Sequence, residues 1–171
     1  MEIRKNFGCD AVLATTSSNT FYLGGYESTN CQILLTDDKN YFFTDMRYFE
    51  EAESCIGDRF EVVSGGIEDI RKLCEKLCVK TLGVEQNVSY SEYVSLEKLF
   101  SGIKFVAVDD VFKKMRAVKS DRELDLMIKA QSVTDAAFTE ILPFIKEGVS
   151  EIEVAARLEY IILKNGCELA F

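Results

Sequence analysis

The run Thr44-Asp45-Met46-Arg47-Tyr48 sets an aspartate, an arginine and a tyrosine within the first turn after the apolar stretch Asn40 to Thr44. A guanidinium offers a planar fork of donors that matches a carboxylate, and a phenol beside it can add a further contact. At a sheet edge this trio suits the gripping of a carboxylate. The same residues also fit a structural role, with Asp45 capping a helix, Arg47 pairing locally and Tyr48 packing in the core. Glu85 ends the run in LGVEQN, and the carboxyl end of a strand is where ligands often bind in α/β sheets. Asp109-Asp110 could touch a hard cation, but adjacent acidic residues point in different directions, and the pair reads as a turn and helix cap.

Other chemistries lack their residues. The chain has no histidine, which excludes serine or cysteine triads with a histidine base and HExxH zinc sites. Neither GxxxxGK[ST] nor GxGxxG occurs, since Leu23-Gly24-Gly25 and Ser64-Gly65-Gly66 are two-glycine turns without the rest of either motif. Cys74 and Cys78 have helical spacing suited to a metal pair, but without histidine or a second close cysteine pair they argue against a structural zinc site. Cys9, Cys31, Cys55 and Cys167 read as small buried or half-buried apolar residues. The 20 basic and 29 acidic residues give a net charge of −9, which argues against nucleic acid as a partner. MEIRKNFGCD is broken by charge and does not read as a signal peptide, and no run approaches the roughly 20 apolar residues of a membrane span. A cytoplasmic protein with reduced thiols is expected.

The elements that must position these residues alternate as in an α/β domain. Strands are expected at Asp10 to Thr15, Cys31 to Thr36, Asn40 to Thr44, Phe60 to Ser64, Thr81 to Glu85 and Ile103 to Asp109, with the second and third joined as a hairpin through Asp37-Asp38-Lys39. Helices are expected at Asp45 to Ile56, Ile67 to Val79 and Ser91 to Phe100, with one turn at Asn19 to Leu23. From Ser120 onward the pattern is helical. Ser120-x-x-Glu123 and Ser150-x-x-Glu153 are capping boxes that satisfy free amides at two helix starts. Pro143 falls near the end of the first of these helices, and Gly148 separates the two. A strand is expected to open at Cys167 to Phe171, and two helices with a strand stub cannot enclose a core.

DAVLATTSSNTFYLGGY, TDMRYFEEA, LGVEQN and the stretch from MRAVKSDRELD to KNGCELAF together resemble the Xaa-Pro aminopeptidase, prolidase and creatinase family, over nearly the whole chain. The most specific part is Arg116-x-x-Lys119-Ser120, with Glu123, Ala130, Gly148, Ser150-Glu151 and Gly166 at the family's spacings.

The resemblance implies a three-layer α/β domain of the creatinase/prolidase N-terminal, ribonuclease H-like type over residues 1–115. A linker and the first two helices of an incomplete pita-bread catalytic domain, a C-terminal helical hairpin, would follow over 116–171. It implies that the chain is the N-terminal portion of a metal-dependent enzyme cleaving the bond between an N-terminal residue and proline in short peptides. In the family two divalent ions, manganese, cobalt or zinc, are held by two aspartates, a histidine and two glutamates, all matching positions beyond Phe171. No metal or catalytic residue is therefore assigned to this chain. The N-terminal domain of the family dimerises and reaches toward the neighbouring active site, which makes Tyr22, Tyr26, Arg47 and Tyr48 candidates for closing over substrate. A homodimer or higher self-association is expected. The alternatives are a free-standing dimerisation or binding module that does no catalysis, and a fragment of a creatinase-type amidinohydrolase.

Overall fold

The computed structural model describes residues 2–168. The apolar runs become strands β1 (Ala11–Ala14), β2 (Cys31–Thr36), β3 (Asn40–Thr44), β4 (Glu61–Ser64), β5 (Thr81–Val84) and β6 (Lys104–Ala107). They form one sheet in the order β4-β3-β2-β1-β5-β6. Strand β2 is antiparallel to β1 and β3, while the β3–β4, β1–β5 and β5–β6 pairs are parallel. The expected mixed sheet of six strands is the observed one.

Helices α1 (Ile3–Phe7), α2 (Ser17–Gly24), α3 (Met46–Ile56), α4 (Ile67–Lys76), α5 (Tyr90–Leu99) and α6 (Asp109–Ala117) flank it. Ile3, Phe7, Ala52, Ile56 and Phe112 from α1, α3 and α6 pack with Val12, Ile33 and Phe42 on one face. Ile70, Cys74 and Phe100 pack with Leu13, Leu34, Phe43 and Leu82 on the other. Successive strand residues thus enter opposite cores, and a sheet covered on both faces needs runs that are apolar throughout, such as the wholly buried AVLA of β1. Each large side chain so enclosed contributes about 1.5–3 kcal/mol.

Local chemistry sets the helix ends. Asp45 caps α3 by accepting the Arg47 N–H, and Gly57 ends it. Helix α5 starts ahead of the expected Ser91, because Ser89 and Glu92 form a capping box that satisfies each other's amides. Asp109 and Asp110 lie in the first turn of α6, where their charge opposes the positive end of the helix dipole. Cys78 follows α4 with φ 54°, so Cys74 and Cys78 do not share a helix. Cys55 is exposed, contrary to expectation, whereas Cys9 and Cys31 are buried. Burial pushes the Cys74 thiol up to about 12.

Asp10 ties the start of β1 to its parallel neighbour. Its Oδ2 accepts the Lys80 and Thr81 N–H groups at 2.9 Å each, and its Oδ1 accepts Arg4 Nε at 3.0 Å. Burial opposes its charge, but the Lys80, Thr81 and Arg4 hydrogen bonds prevail and lower its pKa from 3.8 to about 2. A lowered folded-state value means that the stabilisation is complete above the ordinary aspartate range and is lost as pH falls through about 2. Asp10→Ala is expected to cost about 1–2 kcal/mol at neutral pH, and the difference from the parent chain should shrink between about pH 4 and pH 2 in urea titrations.

The chain divides into two compact units, Met1–Ala117 and Val118–Phe171. In the second, α7 (Asp121–Ile141) runs into a 3-10 turn (Leu142–Phe144) that contains Pro143, and α8 (Glu151–Lys164) follows. Both capping boxes form as expected. Arg157 donates to Glu140 across the two helices at 2.9 Å, and Ala137, Ile141 and Ile161 are buried. A second apolar stripe of α7, Leu124, Ile128 and Phe138, remains 45–67% exposed, as do Ile152 at 81% and Leu163 at 54% on α8. Of the strand expected over Cys167 to Phe171, Cys167 and Glu168 are in no strand, and the other three residues lie outside the described ones.

Candidate functional site

Because only β2 runs against the rest, β1, β3, β4, β5 and β6 all point their carboxyl ends to one edge of the sheet. The segments that leave this edge are Thr15 to Tyr26 after β1, Asp45 to Tyr48 after β3 and Glu85 after β5. Sheets of this kind bind ligands outside the carboxyl ends of their strands.

Glu85 is 3% exposed and holds the edge together. Its Oε2 accepts the Thr15 N–H, the Thr15 hydroxyl at 3.0 Å and the Thr16 N–H at 2.8 Å, while its Oε1 accepts the Thr16 hydroxyl and the Asn19 amide. Burial alone would raise its pKa, but the Thr16, Thr15 and Asn19 hydrogen bonds outweigh burial and lower it. Thr16 occupies the N-cap position of α2 without a side-chain cap bond. The Glu85 carboxylate, just after β5, instead holds the two backbone amides that precede the first turn and sets a negative charge against the positive helix start. Glu85 is a bound structural anion with every oxygen engaged, so it is not a waiting ligand group. Its position was visible in LGVEQN. Its donors Thr15, Thr16 and Asn19 were missed, although the hydroxyl-rich run TTSSN was their signal.

Arg47 and Tyr48 meet at the start of α3, and Tyr26 reaches the same helix at Glu51. The Asp45 carboxylate accepts Arg47 Nε at 3.1 Å and Nη2 at 2.7 Å, and also the Asn30 amide at 2.9 Å. The Arg47 fork is the main cause that holds the Asp45 carboxyl well below the usual carboxylate range. The guanidinium carbon stands 5.3 Å from the centre of the Tyr48 ring, and the Tyr48 hydroxyl lies 2.9 Å from that of Thr29. Tyr26 donates to Glu51 at 2.9 Å, and its ring stands edge-on to Phe42 at 5.9 Å. Burial, with the Glu51 carboxylate beside it, pushes the Tyr26 phenol up to about 12. Tyr22 is held elsewhere, its hydroxyl donating to the Met115 carbonyl in α6 at 3.1 Å. The arrangement has one outward cation, Arg47, stacked on a phenol and steadied by an aspartate, with Nη1 not engaged by Asp45. It can receive a carboxylate or a peptide carbonyl.

The Creatinase/Prolidase N-terminal domain model matches residues 2–118. The chain belongs to the creatinase/prolidase family. The model of Metallopeptidase family M24 then matches residues 125–171. An Xaa-Pro dipeptidase of Pyrococcus horikoshii is 30% identical over 164 residues, covering 93% of this chain and 45% of the relative. Among solved structures, the Xaa-Pro dipeptidase from Bacillus anthracis is similar with a TM-score of 0.86 and 31% identity, covering 95% of this chain and 47% of that one. The X-Pro aminopeptidase from Thermotoga maritima gives 0.84 and 30%, over 95% and 48%. The chain spans about half the length of these relatives.

Creatinase/prolidase membership accords with the three-layer unit and the helical pair that follows it. Metallopeptidase family M24 implies divalent metal ions. Among the described residues no group of three His, Cys, Asp or Glu side chains could hold one, so no step of metal chemistry is assigned to residues of this chain. Among those residues no helix is long and apolar enough to cross a membrane.

Proposed function

We propose that this chain is the N-terminal portion of a metal-dependent Xaa-Pro aminopeptidase or dipeptidase, which hydrolyses the bond between an N-terminal residue and proline in short peptides. The observation that carries this reading is the order of the two family matches, creatinase/prolidase N-terminal over residues 2–118 and M24 over 125–171, in a chain half as long as relatives called Xaa-Pro dipeptidases. In this reading residues 1–115 form the non-catalytic domain, and 116–171 are a linker and the opening helices of the catalytic one. Two divalent ions, manganese, cobalt or zinc, bind in the part that follows. The parent works in the cytoplasm, a setting supported by six cysteines that are all free.

The role of the first unit is to dimerise and to close the neighbouring active site over substrate with Arg47 and Tyr48, with Tyr22 and Tyr26 shaping the approach. Arg47 supports this role best, because its guanidinium is exposed yet fixed by Asp45. In the full-length parent loaded with manganese, Arg47→Ala is expected to raise KM for an Xaa-Pro dipeptide about tenfold and to leave kcat within about twofold. An unchanged KM would remove Arg47 from the substrate side, and an absence of Xaa-Pro hydrolysis by the unmutated parent would overturn the proposed activity itself.

The exposed stripes of α7 and α8 predict the behaviour of the chain alone. Leu124, Ile128, Phe138, Ile152 and Leu163 leave apolar surface in water that association would bury. Light scattering at micromolar concentration is expected to show dimers or larger species. Ile128→Glu together with Leu163→Glu should remove the part of this association that the stripes drive, and a strictly monomeric parent chain, or association unchanged by the two substitutions, would refute the prediction.

A further inference from the structure

Where β5 and β6 end, at the carboxyl edge of the sheet, lies a cavity of about 510 Å³ walled by Tyr90 and Tyr93 of α5, Phe105 of β6, Val84 and Val88. That volume is within the roughly 300–1,000 Å³ of small-molecule sites. The Tyr93 and Phe105 rings stand 6.0 Å apart at 79°, so they form two sides of a corner and leave open the ring faces that a stacked pair would cover. Tyr90, 83% exposed, adds a third ring. The rest of the wall carries charge of one sign. Glu85 lines the cavity, and its five hydrogen-bond donors are all neutral, being two backbone amides, two hydroxyls and the Asn19 side chain. Those bonds outweigh its burial and keep it ionised, yet among the described residues it forms no ion pair. Among the described residues that line the cavity there is no lysine or arginine. Two further carboxylates stand close by. Asp109 accepts the N–H of Gln86, another lining residue, at 2.7 Å, and Glu92 accepts the Ser89 N–H at 2.8 Å beside Tyr90, where it offsets the positive start of α5.

We propose that this cavity binds a small organic cation with a fully alkylated ammonium head, held against the rings of Tyr90, Tyr93 and Phe105. An aromatic face is electronegative, and a cation within about 6 Å of the ring centre is attracted to it. Glu85, 3% exposed and without a counter-ion among the described residues, adds its field where little water screens it. The preference for full alkylation follows from the same residue. Both Glu85 oxygens are already engaged, so the charged wall offers attraction without a free acceptor. A primary ammonium would give up hydrated N–H groups that this wall cannot satisfy, whereas a quaternary one has none to satisfy. A hard metal ion needs several oxygen ligands, and among the described residues no group of three His, Cys, Asp or Glu could hold one. A head group that also carries a phosphate, as on a choline lipid, would meet Glu85 and Asp109 with no basic lining residue to balance it. The ligand is therefore a free ammonium compound.

Titration of the isotope-labelled chain with choline, followed by NMR, tests this. Choline at millimolar concentration or below is expected to shift the backbone amide signals of Gln86, Tyr93 and Phe105 saturably. Its neutral carbon analogue, in which a tert-butyl group replaces the trimethylammonium, has the same shape without the charge and should bind about tenfold more weakly. Ethanolamine should bind about fivefold more weakly through its unmet N–H groups, and phosphocholine about threefold more weakly through repulsion. Tyr90→Leu keeps an apolar side chain at an exposed position where the core is not disturbed, and it should weaken choline about threefold, with Tyr90→Phe restoring the affinity. Absence of a saturable shift at these residues would overturn the proposal. So would a neutral analogue or ethanolamine that binds as tightly as choline, phosphocholine that binds more tightly, or a Tyr90→Leu chain of unchanged affinity.

Discussion

Glu85→Ala is expected to destabilise the first unit by about 4 kcal/mol, with the loss read as a lower midpoint in urea followed by circular dichroism. The substitution removes the shared acceptor of five hydrogen bonds and leaves the amides of Thr15 and Thr16 and the side chain of Asn19 without it inside the fold. Each buried donor so abandoned costs about 1–3 kcal/mol, partly recovered where water enters the space left by the side chain. Glu85→Gln tests the charge apart from the shape. One amide oxygen can still accept, but the new NH2 group faces donors, so a loss of about 2–3 kcal/mol is expected. The two proteins should also differ in their response to acid. Since the folded-state pKa of Glu85 lies below the ordinary 4.5, its contribution is whole above that value and disappears as pH falls through the lowered one. The glutamine variant lacks this part of the acid response. An alanine variant as stable as the parent chain would show that the network contributes nothing net.

Gly83→Ala is expected to cost about 3 kcal/mol, although it adds one methyl group to a strand, where alanine is usually better than glycine. Strand β5 passes between β1 and β6, and a Cβ at position 83 would stand 2.7 Å from Val108 Cγ1, 2.9 Å from Cys9 Sγ and 3.0 Å from Val12 Cγ2. All three neighbours are buried at 2% exposure or less, so none can swing into solvent. Thermal melts of the alanine chain should fall by several degrees. A partial return is expected when Val108→Ala is added, because the closest clash is then removed. Full stability of the single variant would mean that the core around Val108 yields more readily than close packing implies.

The six strands were legible because a sheet covered on both faces demands unbroken apolar runs, and turn residues bound those runs at Asp37-Asp38 and Gly65-Gly66. The helix starts at Ser120 and Ser150 were legible because a capping box is a local device that needs no distant partner. Other features depend on residues far apart in sequence. Helix α1 has five residues and is held by Ile3 and Phe7, which point into the core beside Phe112. Helix α6 shows its stripe of Val111, Phe112 and Met115 only once Asp109-Asp110 is seen as its first turn. At the candidate site the local pairing of Asp45 with Arg47 could be anticipated from their spacing. The burial of Tyr26 against Glu51 and the binding of Tyr22 to Met115 could not, since each joins segments that only the fold brings together.

The Glu85 network also bears on the order in which the chain assembles. Its carboxylate and the amide of Thr15 are 70 residues apart, and between them lie the four strands β2 to β5 and the three helices α2, α3 and α4. Hairpin β2–β3 closes over a short loop and can form early, whereas β5 must first travel across the sheet to lie parallel to β1. Until it arrives, the start of α2 lacks the carboxylate that engages Thr15, Thr16 and Asn19. The first turn of α2 is therefore expected to be among the last parts to become native, and a nascent chain that has not yet threaded β5 into place has a sheet but no finished edge.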